Sequence, residues 1–298
     1  KIAEESLTMN KVLFTKDNNG IARLTLNNPE KQNAFDDEII LDLINILSEI
    51  EQSEDIRLVV LSSNGKNFSA GADLNWMKRM SNSDYDANMR DASALTTMLQ
   101  KLNNLAQPTL VIIRGAVFGG GVGLVSCCDI AIASNESIFS LSEVKVGLVP
   151  ATIGPYVIRA IGERNARRFF TSGERFGADI AKNINLVHEV IEESELEAKV
   201  EFYENLFRKN GPKAVLAAKK IVADISNKEI VDKALLWGAL WIYLADKKFS
   251  KEDFNKLSEL TVLNQNILQP YFEKDTCKMG RIIESGGDTI SVVFLTRQ

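Results

Sequence analysis

The chain has 298 residues, of which 45% are hydrophobic and 25% are charged, and its formal net charge is −5. This length allows one large core or two smaller ones, and the acidic balance argues against a general nucleic-acid-binding protein, which usually carries a basic excess. No stretch approaches the roughly 18–20 apolar residues of a membrane span, and the first eight residues carry two acids without an apolar run, so we predict neither a membrane helix nor a secretory signal.

The N-terminal part predicts a hairpin followed by a helix and a strand. Alternating apolar residues flank an Asn-Gly turn within residues 11–26, which is typical of a β-hairpin. Residues 36–52 carry isoleucines and leucines at helical spacing, and Asp36 is suited to cap that helix. Residues 57–61 form a short apolar run, which predicts a strand.

The chain then repeats a pattern of strand, glycine-containing loop and helix. The next predicted elements are a helix over residues 85–105, strands over 109–113, 129–133 and 138–140, and a short helix after the glycines at 119–121. The spacing is not that of a dinucleotide-binding fold. It therefore favours an α/β protein built as a spiral of ββα turns.

From about residue 154 the pattern is mostly helical. A short strand is predicted at residues 187–191, and a long helical pattern over 195–225 is interrupted by a Gly-Pro pair at 211 and 212. A last strand is predicted over residues 290–295. Because no low-complexity linker is present, we predict one globular body, with a core over residues 9–200 and a helical C-terminal region over 201–298.

Two glycine-containing segments are candidates for ligand binding. The sequence FSAGAD at residues 68–73 lets the backbone approach a ligand closely, although a simple turn is an alternative. The three glycines at 119–121 precede a helix, whose first N–H groups and dipole favour an anion. A nucleotide-phosphate loop is excluded because no Lys-Ser/Thr pair follows these glycines. The two segments together are more informative than either alone.

The chain resembles the crotonase (enoyl-CoA hydratase/isomerase) superfamily over residues 9–225. The motifs that carry the resemblance are NPEKQNA at 28–34, FSAGAD at 68–73, GAVFGGG at 115–121, CDI at 128–130 and FSLSEVKVGLVP at 139–150. The resemblance implies a crotonase-like spiral of ββα units with a helical C-terminal subdomain. It also implies that the N–H groups of Ala72 and Gly120 form an oxyanion hole for the thioester oxygen of an acyl-coenzyme A.

The resemblance further implies an acid–base residue. Hydratases of the family generally carry two glutamates, of which the second is present as Glu143, whereas the first aligns with Gly123. One carboxyl can take a proton from water and return it to C2 on the same face. The implied catalytic set is therefore Glu143 with the amides of Ala72 and Gly120.

Three segments narrow the resemblance within the family. Residues 72–80, 119–129 and 141–144 look like those of bacterial methylglutaconyl-CoA hydratases and equally like those of isohexenylglutaconyl-CoA hydratases. The expected function is reversible hydration of a 2-enoyl-CoA, with 3-methylglutaconyl-CoA of leucine degradation as the leading substrate. An enoyl-CoA isomerase that uses the single glutamate and a non-catalytic acyl-CoA- or RNA-binding relative remain alternatives. A substrate carboxylate needs a nearby cation, for which Lys78 and Arg79 are candidates unless they form a solvated helix face.

Family analogy also suggests residues that contact the substrate. Lys31 is expected near the CoA path, and the remaining expected substrate-binding positions are Ala70, Asp73, Leu74 and Gly119. Residue type alone gives Asp73 an alternative role as a helix cap.

Cofactors, assembly and compartment follow from the same observations. Three cysteines, two of them adjacent, and a lone His188 predict neither a disulfide framework nor a metal site. We expect no cofactor besides the CoA of the substrate, and buried thiols in the cytoplasm. The resemblance implies a homotrimer or hexamer formed through residues 201–298, with the apolar stretch at 234–244 as the candidate contact surface.

Overall fold

The computed structural model of the chain describes residues 10–81, 85–226, 277–279 and 295–297. Within them the strands are β1 (Val12–Lys16), β2 (Ile21–Leu26), β3 (Leu58–Ser63), β4 (Thr109–Ile113), β5 (Ala116–Phe118), β6 (Ile130–Ser134), β7 (Ile138–Ser140), β8 (Arg175–Gly177), β9 (Glu189–Ile191), β10 (Cys277–Met279) and β11 (Leu295–Arg297). The helices are α1 (Asp37–Gln52), α2 (Leu74–Ser81), α3 (Tyr85–Asn104), α4 (Gly120–Cys127), α5 (Gly154–Ser172), α6 (Ala178–Asn183), α7 (Leu196–Lys209) and α8 (Pro212–Ser226).

The chain divides into two compact units, Lys1–Leu216 and Ala217–Gln298. The predicted core boundary after residue 200 falls inside α7, whereas this division falls inside α8. In the second unit the described residues are the end of α8 and the antiparallel pair β10–β11. Of the strand predicted at 290–295, only the last residue lies in the described part, and the predicted contact surface at 234–244 lies outside it.

The first unit contains a six-stranded sheet in the order β1-β2-β3-β4-β6-β9. Strands β1 and β2 are antiparallel, which confirms the hairpin, and the remaining neighbours are parallel. At the hairpin turn the Asp17 carboxylate accepts hydrogen bonds from the N–H groups of Asn19 (2.8 Å) and Ile21 (3.0 Å). Gly20 has φ of +82°, and a Cβ there would lie 2.3 Å from the Asp55 carbonyl oxygen, so the turn requires glycine.

The same part of the chain also forms a smaller sheet, in the order β5-β7-β8. Strand β4 is followed by β5 and α4, and β6 is followed by β7 and α5. After β3, Ser69 makes an isolated parallel bridge to Val117 before α2 and α3. Each turn therefore gives one strand to the large sheet, one strand or bridge to the small sheet, and then a helical segment. This confirms the predicted α/β spiral of ββα turns.

Apolar burial holds the helices to both faces of the large sheet. On one face, α1 and α3 pack on the main core, and the Asp36 carboxylate caps α1 by accepting from the Ile39 N–H at 3.0 Å, as predicted. On the other face, Leu196, Val200 and Tyr203 of α7 pack on a second apolar cluster of the sheet. The predicted break in the C-terminal helical pattern is confirmed, because α7 ends at Lys209 and α8 begins at Pro212.

Four short helices and strands were not predicted. They are α2, β5, β8 and β10, which are eight, three, three and three residues long. Elements this short carry too few residues for a periodic pattern to emerge, and their positions depend on contacts distant in sequence. In the described stretches, none of the helices combines the length and apolar character needed for a membrane span.

Candidate active site

Two glycine-containing loops meet at the carboxyl ends of successive parallel strands. Ser69, after β3, donates from its N–H to the Ala116 carbonyl at 3.1 Å, and its own carbonyl accepts from the Phe118 N–H at 2.9 Å. A Cβ on Gly71 would lie 2.9 Å from the Phe118 carbonyl oxygen, and Gly71 has φ of +88°. Only glycine allows this approach, which brings the first loop against the second.

The meeting loops leave two amide donors unused. Phe35 bonds to both neighbours of Ala72, donating to the Gly71 carbonyl and accepting from the Asp73 N–H, each at 2.7 Å. The N–H of Ala72 itself has no acceptor within the described residues. The same holds for the N–H of Gly120, which begins α4, where the first N–H groups have no partner inside the helix.

Glu143 comes from the next turn of the spiral, after β7. It begins a 3₁₀ segment, Glu143–Val146, and its carboxyl lies against the backbone of Gly119, where a Cβ would be 3.1 Å from Oε1. Among the residues that the structure describes, its Oε2 atom is buried without a hydrogen-bond partner. Burial raises the pKa of Glu143 above its ordinary value of 4.5, and its backbone N–H offsets this only in part. Three successive turns of the spiral thus each supply one chemical group.

A cavity of about 350 Å³ lies where these groups meet. The predicted site residues that line it are Ala70, Ala72, Gly119, Gly120 and Glu143. Its apolar walls include Phe35, Trp76, Met77, Leu95, Leu148, Val149, Pro150 and Ile153. Apart from Glu143, the charged side chains among its lining in the described part of the chain are Asp91 and Lys145. A largely apolar cavity with a few polar groups is typical of a small-molecule site.

Asp73 and Lys31 lie beside the cavity and are not among its lining residues. The Asp73 carboxylate caps α2 by accepting from the N–H groups of Asn75 (2.8 Å) and Trp76 (2.9 Å). Lys31 Nζ is 3.4 Å from its Oδ2. The Trp76 N–H, together with Lys31, holds the pKa of Asp73 below its ordinary value. Leu74 begins α2 directly after this cap, and its side chain lies outside the described part.

The two predicted cations for a substrate carboxylate do not line the cavity. Arg79 pairs with Asp37 at 2.6 Å, and both side chains are exposed. Lys78 is also exposed on α2, which matches the alternative of a solvated helix face. The cation that does line the cavity, Lys145, was missed because it follows Glu143 in a short 3₁₀ segment without a periodic pattern.

The surroundings of Gly123 leave no room for a side chain. A Cβ at this buried position would lie 2.3 Å from Ile153 Cγ2 and 2.9 Å from Ile153 Cβ, with Leu99 Cδ2 at 3.6 Å. Ile153 therefore fills the space next to α4 from which a second carboxyl would project. The sequence shows a glycine where hydratases of the resembled family carry their first glutamate. It does not show which side chain occupies the space that the glutamate would need.

Other residues singled out from the sequence have structural partners. His188 Nδ1 accepts from the Ala131 N–H at 3.0 Å, and the backbone N–H of His188 donates to the Ala131 carbonyl at 2.8 Å, which links the residue before β9 to β6. Burial raises the pKa of the Cys127 thiol. Across the described stretches, no three His, Cys, Asp or Glu side chains are grouped as a metal site.

A second cavity, of about 420 Å³, lies near the hairpin turn and the end of α7. Among its lining residues, Arg208 pairs with Asp17 at 3.1 Å and with the buried Glu204 at 3.2 Å. The first of these ion pairs joins α7 to the hairpin turn, and among the described residues the buried Nε atom of Arg208 has no hydrogen-bond partner. None of the residues that the sequence predicted to bind or act on a ligand lines this cavity.

Comparison with known proteins identifies the family. The family model described as enoyl-CoA hydratase/isomerase matches residues 16–236. The chain belongs to this family. An enoyl-CoA hydratase/isomerase activity is therefore assigned to it, with an acyl-CoA as its substrate class.

Individual members of the enoyl-CoA hydratase/isomerase family match most of the chain. The chain is 30% identical over 245 residues to the (E)-benzylidenesuccinyl-CoA hydratase of Thauera aromatica, and this match covers 81% of this chain and 93% of that protein. The chain is also 29% identical over 218 residues to the short-chain-enoyl-CoA hydratase of Clostridium acetobutylicum. This match covers 72% of this chain and 82% of that protein. The crystal structure of an enoyl-CoA hydratase from Shewanella pealeana superposes with a TM-score of 0.73 at 32% identity, covering 89% of this chain and 94% of that one.

Proposed function

We propose that this protein is a hydratase that adds water reversibly across the C2–C3 double bond of a 2-enoyl-CoA. Glu143 takes a proton from water as the hydroxide oxygen bonds to C3, and the electrons of the double bond move onto the thioester oxygen. The N–H groups of Ala72 and Gly120 stabilise that enolate oxygen. Glu143 then returns the proton to C2 on the same face, so no cofactor is consumed.

The observation that carries this proposal is a buried carboxyl oxygen without a partner in the same cavity as two unused amide N–H groups. Native proteins rarely leave buried polar groups unpaired, and each such group needs an explanation. A substrate thioester would supply the acceptor for the amides, and water would supply the donor for Glu143. The raised pKa of Glu143 suits a group that must both accept and return a proton near neutral pH.

Within the substrate class, we favour 3-methylglutaconyl-CoA and, with it, a role in leucine degradation. The apolar walls suit a branched acyl chain, and Lys145 offers a cation for the carboxylate at the far end of that chain. Support also comes from the Thauera aromatica relative, whose named substrate, benzylidenesuccinyl-CoA, carries a carboxylate besides its thioester. Isohexenylglutaconyl-CoA shares that carboxylate and is the alternative substrate.

An enoyl-CoA isomerase is the second candidate, because one observation favours it. Ile153 closes the position of a second carboxyl, and moving a proton between C2 and C4 needs one carboxyl only. A role in RNA binding is less consistent with the net charge of −5 and would be detected by a salt-dependent RNA titration.

Product analysis in oxygen-18-labelled water separates these candidates. The substrates are 3-methylglutaconyl-, isohexenylglutaconyl- and crotonyl-CoA, each tested with the wild type, Glu143→Gln and, as a matched control at an exposed glutamate, Glu136→Gln. We expect the label at C3 with the wild type and the control, and fastest turnover of 3-methylglutaconyl-CoA. Migration of the double bond without label would instead identify an isomerase.

For the assembly, we propose a homotrimer or hexamer in the cytoplasm, with residues 234–244 as the subunit contact. The segment is rich in Trp, Leu and Tyr, which favours burial between subunits. Light scattering of the full chain tests this, and a monomer would contradict it.

A further inference from the structure

The indole of Trp76 carries a second unpartnered polar group at the cavity. Its side chain lines the cavity and the residue is 5% exposed. Within the described part of the chain, the indole nitrogen Nε1 is buried without a hydrogen-bond partner. The indole N–H is a donor only, so its complement must be an acceptor. The proposed hydration step does not involve this N–H group.

Hydrogen bonds connect Trp76 to the glycine-containing loop at residues 68–73. Its backbone N–H is bound by the Asp73 carboxylate at 2.9 Å, and the Asp73 N–H is bound by the Phe35 carbonyl at 2.7 Å. Ala72, whose amide is unused, is the residue directly before Asp73. Ala72 and Trp76 line the same cavity, so a thioester whose oxygen binds at Ala72 shares that cavity with the indole.

We infer that Trp76 determines substrate specificity by donating its indole N–H to an oxygen on the acyl chain beyond the thioester, and that this oxygen belongs to a carboxylate. Lys145, which lines the same cavity, supplies a positive charge for that group. A charged acceptor makes the stronger hydrogen bond. An acyl group without such an oxygen leaves the buried donor unpaired, so the site discriminates against it. This inference rests on the proposed function and narrows its substrate class.

The test compares two thioesters that differ only at the end of the acyl chain. These are 3-methylglutaconyl-CoA, which ends in a carboxylate, and 3-methyl-2-pentenoyl-CoA, which has a methyl group in its place. Trp76→Phe removes the N–H and keeps an aromatic ring. We expect it to lower kcat/KM about 10- to 100-fold for the carboxylated substrate and less than about threefold for the methyl analogue.

A second variant keeps the test decisive if Trp76→Phe unfolds. Replacement of Trp76 by 3-benzothienylalanine preserves the bicyclic shape and exchanges only the N–H for sulfur, so the same selective loss is expected. An equal loss on both substrates would assign the donor to packing or to the reacting water and overturn the inference, as would no loss on either. If the folded wild type hydrates neither these thioesters nor crotonyl-CoA, the proposed function is overturned together with this inference. Hydration of crotonyl-CoA alone overturns only this inference.

Discussion

Two carboxyl groups within the same site have opposite surroundings. The Asp73 carboxylate accepts two backbone N–H bonds and lies 3.4 Å from the Lys31 ammonium, and its pKa is lowered. The Glu143 carboxyl has one oxygen that is buried without a partner in the described stretches, and its pKa is raised. Asp73 is beside the cavity and Glu143 lines it.

This difference distinguishes a carboxylate that stabilises the fold from one that takes part in the reaction. A satisfied, ionised carboxylate stabilises the helix that it caps, whereas an unsatisfied one lowers stability and is retained for what it does with a ligand. Glu143 should therefore dominate turnover, and Asp73 should dominate local stability. The following predictions test that division, beginning with the largest effect.

Glu143→Gln removes the proton acceptor and preserves the size of the side chain. We expect kcat to fall about 1,000-fold, within the range for general acid–base groups, with KM changed less than about threefold. Steady-state kinetics with the preferred enoyl-CoA measures both. Asp73→Asn is the matched control, since asparagine caps helices about as well as aspartate and should keep most of the activity.

Gly123→Ala tests whether the fold leaves room for another side chain near Glu143. The added methyl would lie 2.3 Å from Ile153 Cγ2, so we expect the free energy of unfolding to fall by about 1–3 kcal/mol. Gly177→Ala is the control, because none of the described atoms lies within 4 Å of its added methyl.

The double variant Gly123→Ala with Ile153→Ala should lose less stability than the sum of the two single variants. Ile153→Ala removes the Cγ2 atom that the added methyl would meet, and that methyl in turn fills part of the space that the isoleucine leaves. Urea titrations measure all four free energies. Strict additivity of the two changes would mean that Ile153 does not close this position.

Asp73→Ala removes the cap of α2. We expect the free energy of unfolding to fall by about 1 kcal/mol, as for other cap removals, with a smaller loss of activity than for Glu143→Gln. Lys31→Ala should cost less than about 1 kcal/mol, because its side chain is half exposed. Turnover by Asp73→Ala is also compared directly with turnover by Glu143→Gln. If both variants lost turnover to a similar extent and Asp73→Ala lost no stability, the different roles assigned to the two carboxyls would be contradicted.

The pH dependence of stability gives the smallest effects, with opposite signs. Because the folded pKa of Glu143 is raised above 4.5, its contribution is favourable at low pH and is lost as pH rises through the folded pKa. Glu143→Gln should therefore gain stability relative to the wild type as pH rises above about 4.5.

Asp73, whose pKa is lowered from 3.8, contributes stability above that pH, which is lost as pH falls through its folded pKa. Thermal unfolding of Asp73→Asn and the wild type should therefore converge in acid. Parallel curves for either variant and the wild type at all pH values would contradict the assigned environments.

The sequence predicted features that depend on local pattern. The hairpin over residues 11–26, the Asp36 cap and the loops that contain Ala72 and Gly120 all follow from turn residues, periodicity or short motifs. It also left a capping role open for Asp73, which the contacts of α2 confirm.

Contacts between distant residues could not be predicted. Ile153 is thirty positions beyond Gly123, and Lys31 reaches Asp73 across forty-two, so no single segment indicates either pair. The unpartnered atoms of Trp76 and Glu143 are likewise properties of the folded surroundings, because hydrogen-bond satisfaction depends on every neighbouring segment.

A crystal structure of Glu143→Gln with a bound 2-enoyl-CoA tests the central claim most directly. We predict that the thioester oxygen lies about 2.7–3.1 Å from both the Ala72 and Gly120 nitrogens, with C2 and C3 facing the side chain at position 143. A thioester oxygen bound away from either amide, or reacting carbons turned from position 143, would contradict it.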